Sequence, residues 1–494
     1  MSLGLGNFDA KRSMDVFGRL KTSRHQNIYD ADFEYGTQPL RWESYTAGSA
    51  TIAAQPSQGG VGMTVTTSAS DIAIRQSRPY HRYQPGKSMY MASAVLFGGP
   101  FSNQYQRVGF FDDANGAFFE QGTPTASNPS GMNVVVRSDV GGTITELRTP
   151  QSQWIGDSTF TNSINWYSIQ MLCIEYAWYG AGMVRFGLII NGETHWVHNI
   201  GFGNRQGQSV AWARTGNLPV RYELRNFGTT TAATTMTHWG VSVMVEGQSD
   251  EQRGFTYAYS LPLGTPTRAV TGGTTRYPVL SIRNRVMGTL EYTQASAAIT
   301  GGTTTTVTVN GTPWTVNQWQ GRYFYNSTLG FTARIVSNTS NVLTIADVVT
   351  GLPVSASAAG NNYTIGLLNR GLILPVTLNI SSDAICTIEL ISSTTASPVT
   401  LTGSNFTALS SLGSAYSFAE RDASATALTG GEVVYAFLAP AGGSGLQQID
   451  LSGFFPLYNT IKGNQPDILT VAVSTKSATA ANVGVSIVAQ EKMS

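Results

Sequence analysis

Five histidines stand in the 494-residue chain, at His25, His81, His195, His198 and His238. His195 and His198 lie three apart in a stretch that alternates as a strand. Side chains at that spacing point to opposite faces, so the two are not expected to share an ion. Cys173 and Cys386 sit too far apart in a cysteine-poor chain for a disulfide framework or a cysteine zinc site. Glycoside hydrolysis asks for two carboxyl groups roughly 5–9 Å apart, and Glu120, Glu175, Glu193 and Asp112/Asp113 are the candidates. No Glu-x-Asp-x-Glu run sets two of them on one strand face, and Glu175 stands alone in CIEYAWYG. A Gly-x-Ser-x-Gly elbow and a Walker-type loop are absent, and pairs such as Gly301-Gly302 lead into strands rather than helices. The expectation is therefore no catalytic, cofactor or metal site, and a chain that is not an enzyme.

Two other sets of residues are candidates for binding. Trp166, Tyr176, Trp178, Tyr179, Trp196 and Trp212 cluster in one stretch. Such rings serve as stacking platforms for sugars, as interface anchors, or as core. The first 30 residues hold Lys11, Arg12, Arg19, Lys21 and Arg24 against Asp9, Asp15 and Asp30, with Gly4, Gly6 and Gly18 between. They read as an extended arm without a core of its own. Phe8, Met14, Val16, Phe17 and Leu20 are spaced as anchors for pockets on a partner, and Arg12, Arg19 and Arg24 can pair with carboxylates there.

The elements that must position these residues are strands. Val61–Thr67, Met89–Leu96, Met132–Val136, Val184–Ile190, His195–Ile200 and Trp239–Val245 alternate, and turn residues separate them. Asn191-Gly192 between Leu188–Ile190 and Thr194–Val197 marks a tight hairpin, because both turn positions need positive φ. Charged residues are 12% of the chain, and 30 Lys+Arg stand against 29 Asp+Glu. That balance argues against a nucleic-acid partner. Arginine outnumbers lysine 24 to 6, a bias that suits subunit contacts. No apolar run is long enough for a membrane helix, and the N-terminus lacks the apolar core of a signal peptide.

The fold expected is all-β. It comprises an arm at 1–30, a jelly-roll-like sandwich at 31–255, a linker at 256–275, and a second sandwich at 276–285 plus 367–494. A small β module at 286–366 interrupts the second sandwich. The first core is expected to hold Val95, Phe97, Phe110, Phe119, Val135, Ile169, Phe186, Ile189 and Val243.

DVFGRLKTSRHQNIYDADFEYGTQPLRWE (Asp15–Glu43), IRQSRPYHRYQPGKS (Ile74–Ser88) and RVGFFDDANGAFFEQ (Arg107–Gln121) resemble structural proteins of tailed bacteriophage virions. PQSQWIGD, GMVRFGLIING, NLPVRYELRN, RYPVLSIR and NRGLILPVTLNI continue the resemblance over nearly the whole chain outside 286–366. It implies a non-enzymatic virion component of tail fibre, baseplate or capsid-decoration type, attached through its arm and assembled in the host cytoplasm. The expected partners are other virion proteins, further copies of the chain (a trimer first) and a host-surface glycan, with no cofactor and no membrane insertion. The alternative is a polysaccharide-binding or polysaccharide-degrading protein that uses the aromatic-rich first domain.

Overall fold

The computed structural model describes residues 14–16, 18–19, 24–248, 254–262, 264–270, 273, 275–293, 297–393, 397–408, 417–442, 447–454, 456–475 and 480–492. Its regular secondary structure is nearly all strand, 53% of the chain against 2% helix, and the chain divides into two compact units, 1–251 and 252–494.

The first unit is a sandwich of two antiparallel sheets. Its strands are β1 (His25–Asp32), β2 (Trp42–Ala47), β3 (Thr51–Gln55), β4 (Gly60–Val65), β5 (Ile72–Ser77), β6 (Met89–Leu96), β7 (Gln104–Phe111) and β8 (Gly116–Gln121). They continue with β9 (Met132–Ser138), β10 (Thr145–Pro150), β11 (Gln170–Tyr176), β12 (Met183–Ile190), β13 (Glu193–Gly201), β14 (Val220–Asn226) and β15 (Thr234–Glu246). One sheet runs β13-β12-β11-β6-β15-β4-β3, with β1 also on β15; the other runs β10-β9-β8-β7-β14-β5-β2. Each strand buries alternate side chains between the sheets: Met89, Met91 and Val95 from β6, Leu172, Ile174 and Tyr176 from β11, and Val220, Tyr222 and Leu224 from β14. The β12–β13 turn is the expected hairpin, with Asn191 at φ 53° and Gly192 at φ 81°.

Parity decides where the core expectation fails. Val95, Phe97, Phe110, Phe119, Phe186 and Val243 are in the core. Val135 faces the other way, between the core residues Val134 and Val136, and packs with Phe111 and Phe118. Ile189 follows core residue Leu188 and is half-buried. Ile169 precedes β11 on the wrong parity and is 57% exposed. The histidine expectation is corrected by a bulge. β13 pairs His195 with Leu188 and His198 with Phe186, both core-side residues, because the register shifts between Phe186 and Gly187. His195 stacks on Phe160 and His198 is buried, its Nδ1 accepting from the Ile155 amide.

The second unit holds another sandwich. One sheet orders Phe255–Ser260, Ala481–Lys492, Leu372–Ser382 and Gln447–Asp450. The other orders Thr407–Ala408, Ala419–Asp422, Tyr277–Asn284, Ile468–Thr475, Cys386–Ser392 and Glu432–Ala439. Phe255–Ser260 and Arg268–Val270, in the stretch expected as linker, both pair with Ala481–Lys492. The edge of a sheet gave these Pro- and Gly-flanked segments a ladder to join. The inserted module is a seven-stranded sheet from Tyr292–Thr293 to Tyr363–Gly366 with its own core around Trp314, Trp319, Phe324, Ile335 and Ile365. Its ends meet where Met287 pairs with Leu368 and the Asn369 amide donates to Val286.

The β7–β8 side of the first unit carries a charged layer on the face turned away from the core. Arg107 reaches Glu120 (2.8 Å) and Glu223 (3.0 Å), Arg148 reaches Glu120 (2.8 Å), and Arg137 reaches Glu146 (2.8 Å). Arg221 lies 2.9 Å from both Asp113 and Glu223, in electrostatic contact rather than along hydrogen-bond directions. Burial by itself would raise the Glu223 carboxyl, but Arg221, Arg107 and Arg225 outweigh it and hold it at about 2. The same competition leaves Glu146 lowered.

Arg107→Met removes one of the arginines from each of two buried carboxylates, Glu120 and Glu223, so urea unfolding should show a loss of about 1–3 kcal/mol; an unchanged midpoint would mean the layer is not a paired network. Glu223 is depressed, so its contribution is complete above its unfolded pKa of about 4.3 and is lost as pH falls toward about 2. The stability gap between the wild type and Glu223→Gln should accordingly be wide at pH 6 and narrow steadily between pH 4.5 and 2.

Candidate active site

A second charged group lies on the other sheet, also on the face away from the core. β11 places Glu175 between Arg185 of β12 and Tyr90 of β6. Glu175 has no exposed surface, and Arg185 both donates to it and stands over the Trp196 ring at 4.4 Å. Gly187 makes that stacking possible: a Cβ there would meet Cys173 Sγ at 2.8 Å and the indole at 3.0 Å.

Ser88 stands just before β6, and β15 ends at Glu246, whose amide donates to the Ser88 carbonyl. The Ser88 hydroxyl lies 2.9 Å from Glu175 Oε1 and 3.2 Å from Glu246 Oε2. Two oxygens sharing one hydroxyl at these distances are at most about 6 Å apart, a limit that admits the roughly 5–5.5 Å between the carboxyl groups of a retaining glycosidase. A hydroxyl has one proton to give. Ser88 therefore satisfies one carboxylate at a time unless the other carboxyl carries a proton of its own. Arg185 donates to Glu175, on the side of that carboxylate opposite to β6.

The rim is aromatic and basic. Tyr179 is 55% exposed and holds φ 39°, a left-handed conformation uncommon outside glycine. Its hydroxyl lies beside Gly86, whose carbonyl accepts from Arg19 at 3.0 Å. Arg19 is clamped by Asp15 at 2.7 Å, which raises its pKa, and lies 3.9 Å from Glu246. The Met14 carbonyl accepts from Arg185 at 2.8 Å. The His25 ring lies 5.5 Å from Tyr90, whose hydroxyl burial pushes up.

Of the arm residues singled out from sequence, Met14, Val16 and Arg19 thus lie on the unit's own sandwich, with Val16 buried. Arg24 is exposed and its carbonyl accepts from Gly247. Phe8, Arg12, Phe17 and Leu20 lie outside the described residues. Among the six aromatics, Trp196 and Tyr179 border this site. Trp166, Tyr176 and Trp212 are core: Tyr176 donates to the Gly216 carbonyl, Trp166 to Gln151, and Trp212 stacks on Phe202. Trp178 is half-buried and donates to Ala213. Tyr176 faces the opposite sheet from β11, and the loop residues Trp166 and Trp212 fold into the same core, so none of the three is a surface platform.

Glu246 went unnoticed in the sequence. It lies 71 residues beyond Glu175, and only the order β11-β6-β15 brings the two to opposite sides of one strand. The other acids considered are placed elsewhere. Glu120 is in the arginine layer, Glu193 is exposed at the hairpin, and Asp112 accepts from the amides of Ala114 and Asn115. Asp113 is raised, as burial exceeds the pull of Arg221. Among the described residues no group of three or more His, Cys, Asp or Glu side chains is arranged to hold a metal ion.

No family model and no curated protein matches the chain. Solved structures similar to it include an endo-1,3-β-glucanase from Streptomyces sioyaensis, at 11% identity and TM-score 0.30, over 45% of this chain and 97% of that one. A family 16 glycosyl hydrolase from Mycobacterium smegmatis is similar at 9% identity and TM-score 0.28, over 44% and 100%. A pseudo β-1,3-glucanase of Mycobacterium tuberculosis is similar at 8% and 0.30, over 45% and 99%. The expectation that the chain is not an enzyme is overturned by neighbours of this kind and is withdrawn. At such scores they assign this chain no chemistry of its own.

Ser88→Ala removes the shared hydroxyl and leaves two carboxyl groups facing each other across the gap. Unfolding free energy should fall by about 1–3 kcal/mol, measured by urea titration; a variant as stable as the wild type would show that the bridge is not made.

Proposed function

We propose that the first unit binds a polysaccharide at the Glu175–Ser88–Glu246 face and cleaves it, in a chain carried by a tailed-phage particle that meets a host surface. The observation that supports this most is the acid pair sharing one hydroxyl; Tyr179, 55% exposed beside Gly86, and the partly exposed Trp196 edge are the aromatic surfaces near it for sugar rings. Glu246, bridged through Ser88, gives its proton to the glycosidic oxygen as the bond to the anomeric carbon breaks. The Glu175 carboxylate adds to that carbon. Water then displaces it, giving its proton to Glu246 and its oxygen to the sugar. Arg185 is a positioning residue that keeps Glu175 aimed. The arginine layer on the other sheet fits this chemistry less well, because Glu120, Glu146 and Glu223 are each met by two or more arginines.

The phage assignment rests on the strings within Asp15–Glu43, Ile74–Ser88 and Arg107–Gln121. With it go the neighbouring virion proteins and a homotrimer as proposed partners, and electron cryo-microscopy of the particle would locate the chain.

The enzymatic test uses host capsular polysaccharide and a β-1,3-glucan, with polymer length followed by size exclusion and light scattering. The wild type should shorten at least one polymer. Glu175→Gln should slow this at least about 100-fold while still sedimenting with the polymer, and Tyr179→Ala should weaken binding about tenfold. A Glu175→Gln protein that cleaves like the wild type, or a wild type that neither binds nor shortens any polymer, would defeat the reading.

A further inference from the structure

The acid pair is closed. Glu175 is fully buried, the Glu246 side chain is 11% exposed, and Ser88 is buried with them. Part of what lies over them is a segment of the same chain described at residues 14–16 and 18–19. This segment is knotted on itself. The Arg19 amide and Nε donate to the Asp15 carboxylate at 2.8 and 2.7 Å, and the Gly18 amide donates to the Asp15 carbonyl at 3.1 Å, with Gly18 at φ 73° making the turn. Its fastenings to the sandwich include polar contacts that cluster at the acid pair. Arg185 donates to the Met14 carbonyl, Arg19 donates to the Gly86 carbonyl, and Arg19 faces Glu246 at 3.9 Å. Val16 is the buried apolar anchor. The Arg19 side chain is 55% exposed, so water and salt screen its ion pair with Glu246.

A compact loop with its own internal bonds can leave as a unit, because lifting it breaks the outer contacts while the inner ones persist. Leaving would free one donor of Arg185 and take Arg19 from Glu246. It would also uncover the side of the pair that is next to Trp196 and Tyr179. The contacts are thus at the two places where substrate would have to enter: the guanidinium that holds Glu175 and the carboxyl that would deliver the proton.

We propose that the described residues 14–16 and 18–19 form a displaceable strap that keeps the Glu175–Glu246 pair inaccessible until they are lifted. This rests on reading that face as the polysaccharide site, but its central measurement needs no polysaccharide. Displacement of the strap by a neighbouring copy or another chain would couple assembly of the protein to opening of the site.

The test is carboxyl labelling with a water-soluble carbodiimide and an amine, mapped by mass spectrometry, on the full chain, on a chain lacking residues 2–19, and on Arg19→Ala. Circular dichroism and an unchanged labelling rate at the exposed Glu193 confirm that each variant is folded. Labelling of Glu246 should be at least about tenfold faster in both variants than in the full chain, and raised salt should speed it in the full chain toward the Arg19→Ala rate. Equal rates at Glu246 in all three proteins would overturn the strap. Polysaccharide shortening is then measured on the same samples. Faster labelling without cleavage by any sample leaves the strap standing and refutes the cleavage reading; faster labelling with faster cleavage supports both.

Discussion

Glu175 sits with no surface in water, and Arg185 lies against it on the neighbouring strand. An unpaired carboxylate in that position would cost several kcal/mol and would protonate instead. The pair fixes much else. Arg185 must stand between Glu175 and Asn199 in the β11–β12–β13 register, so Trp196 comes to lie under its guanidinium, with Gly187 leaving the room. The same guanidinium donates to Met14, which brings the first described residues of the chain onto this face. On the far side of Glu175, β6 and β15 deliver Ser88 and Glu246. Strand order, stacking, arm and acid pair all meet at one ion pair.

The other sheet shows what the same residue types do in a different ratio. There, arginines equal or exceed the acids they touch. Glu223 meets Arg107 and Arg221 closely, and Glu120 meets Arg107 and Arg148. Carboxylates paired this way serve the fold. Around Ser88, Glu175 and Glu246 are linked through one hydroxyl, with Arg185 against the first and Arg19 3.9 Å from the second.

Much of the fold was legible in the sequence, because alternation and turn chemistry are local. The Asn191-Gly192 hairpin and the module between Val286 and Leu368 could be placed from composition and spacing. Errors came from single-residue parity and from pairing. Ile169 lies one residue out of phase with Leu172 and Ile174, and the Val197 bulge returns His198 to the side of His195. Edge pairing drew Arg268–Val270 from an expected linker into a sheet. The site was the least legible part. Trp196 and Tyr179 were singled out, yet Trp166, Tyr176 and Trp212 share their composition signal and are core. Glu175 has its partner two strands away, and no spacing rule links residue 175 to 246. That link exists once β6 is inserted between β11 and β15.

The central claim is that a glycosidic bond is held between Glu175 and Glu246. It is tested most directly by a crystal structure of the Glu175→Gln protein lacking residues 2–19, grown with an oligosaccharide from the host surface. The account predicts sugar rings against Trp196 and Tyr179, with the bridging oxygen within hydrogen-bond reach of Glu246 and an anomeric carbon facing the amide that replaces the Glu175 carboxylate. An oligosaccharide seated on the arginine layer of the other sheet, or anywhere away from Ser88, would contradict it.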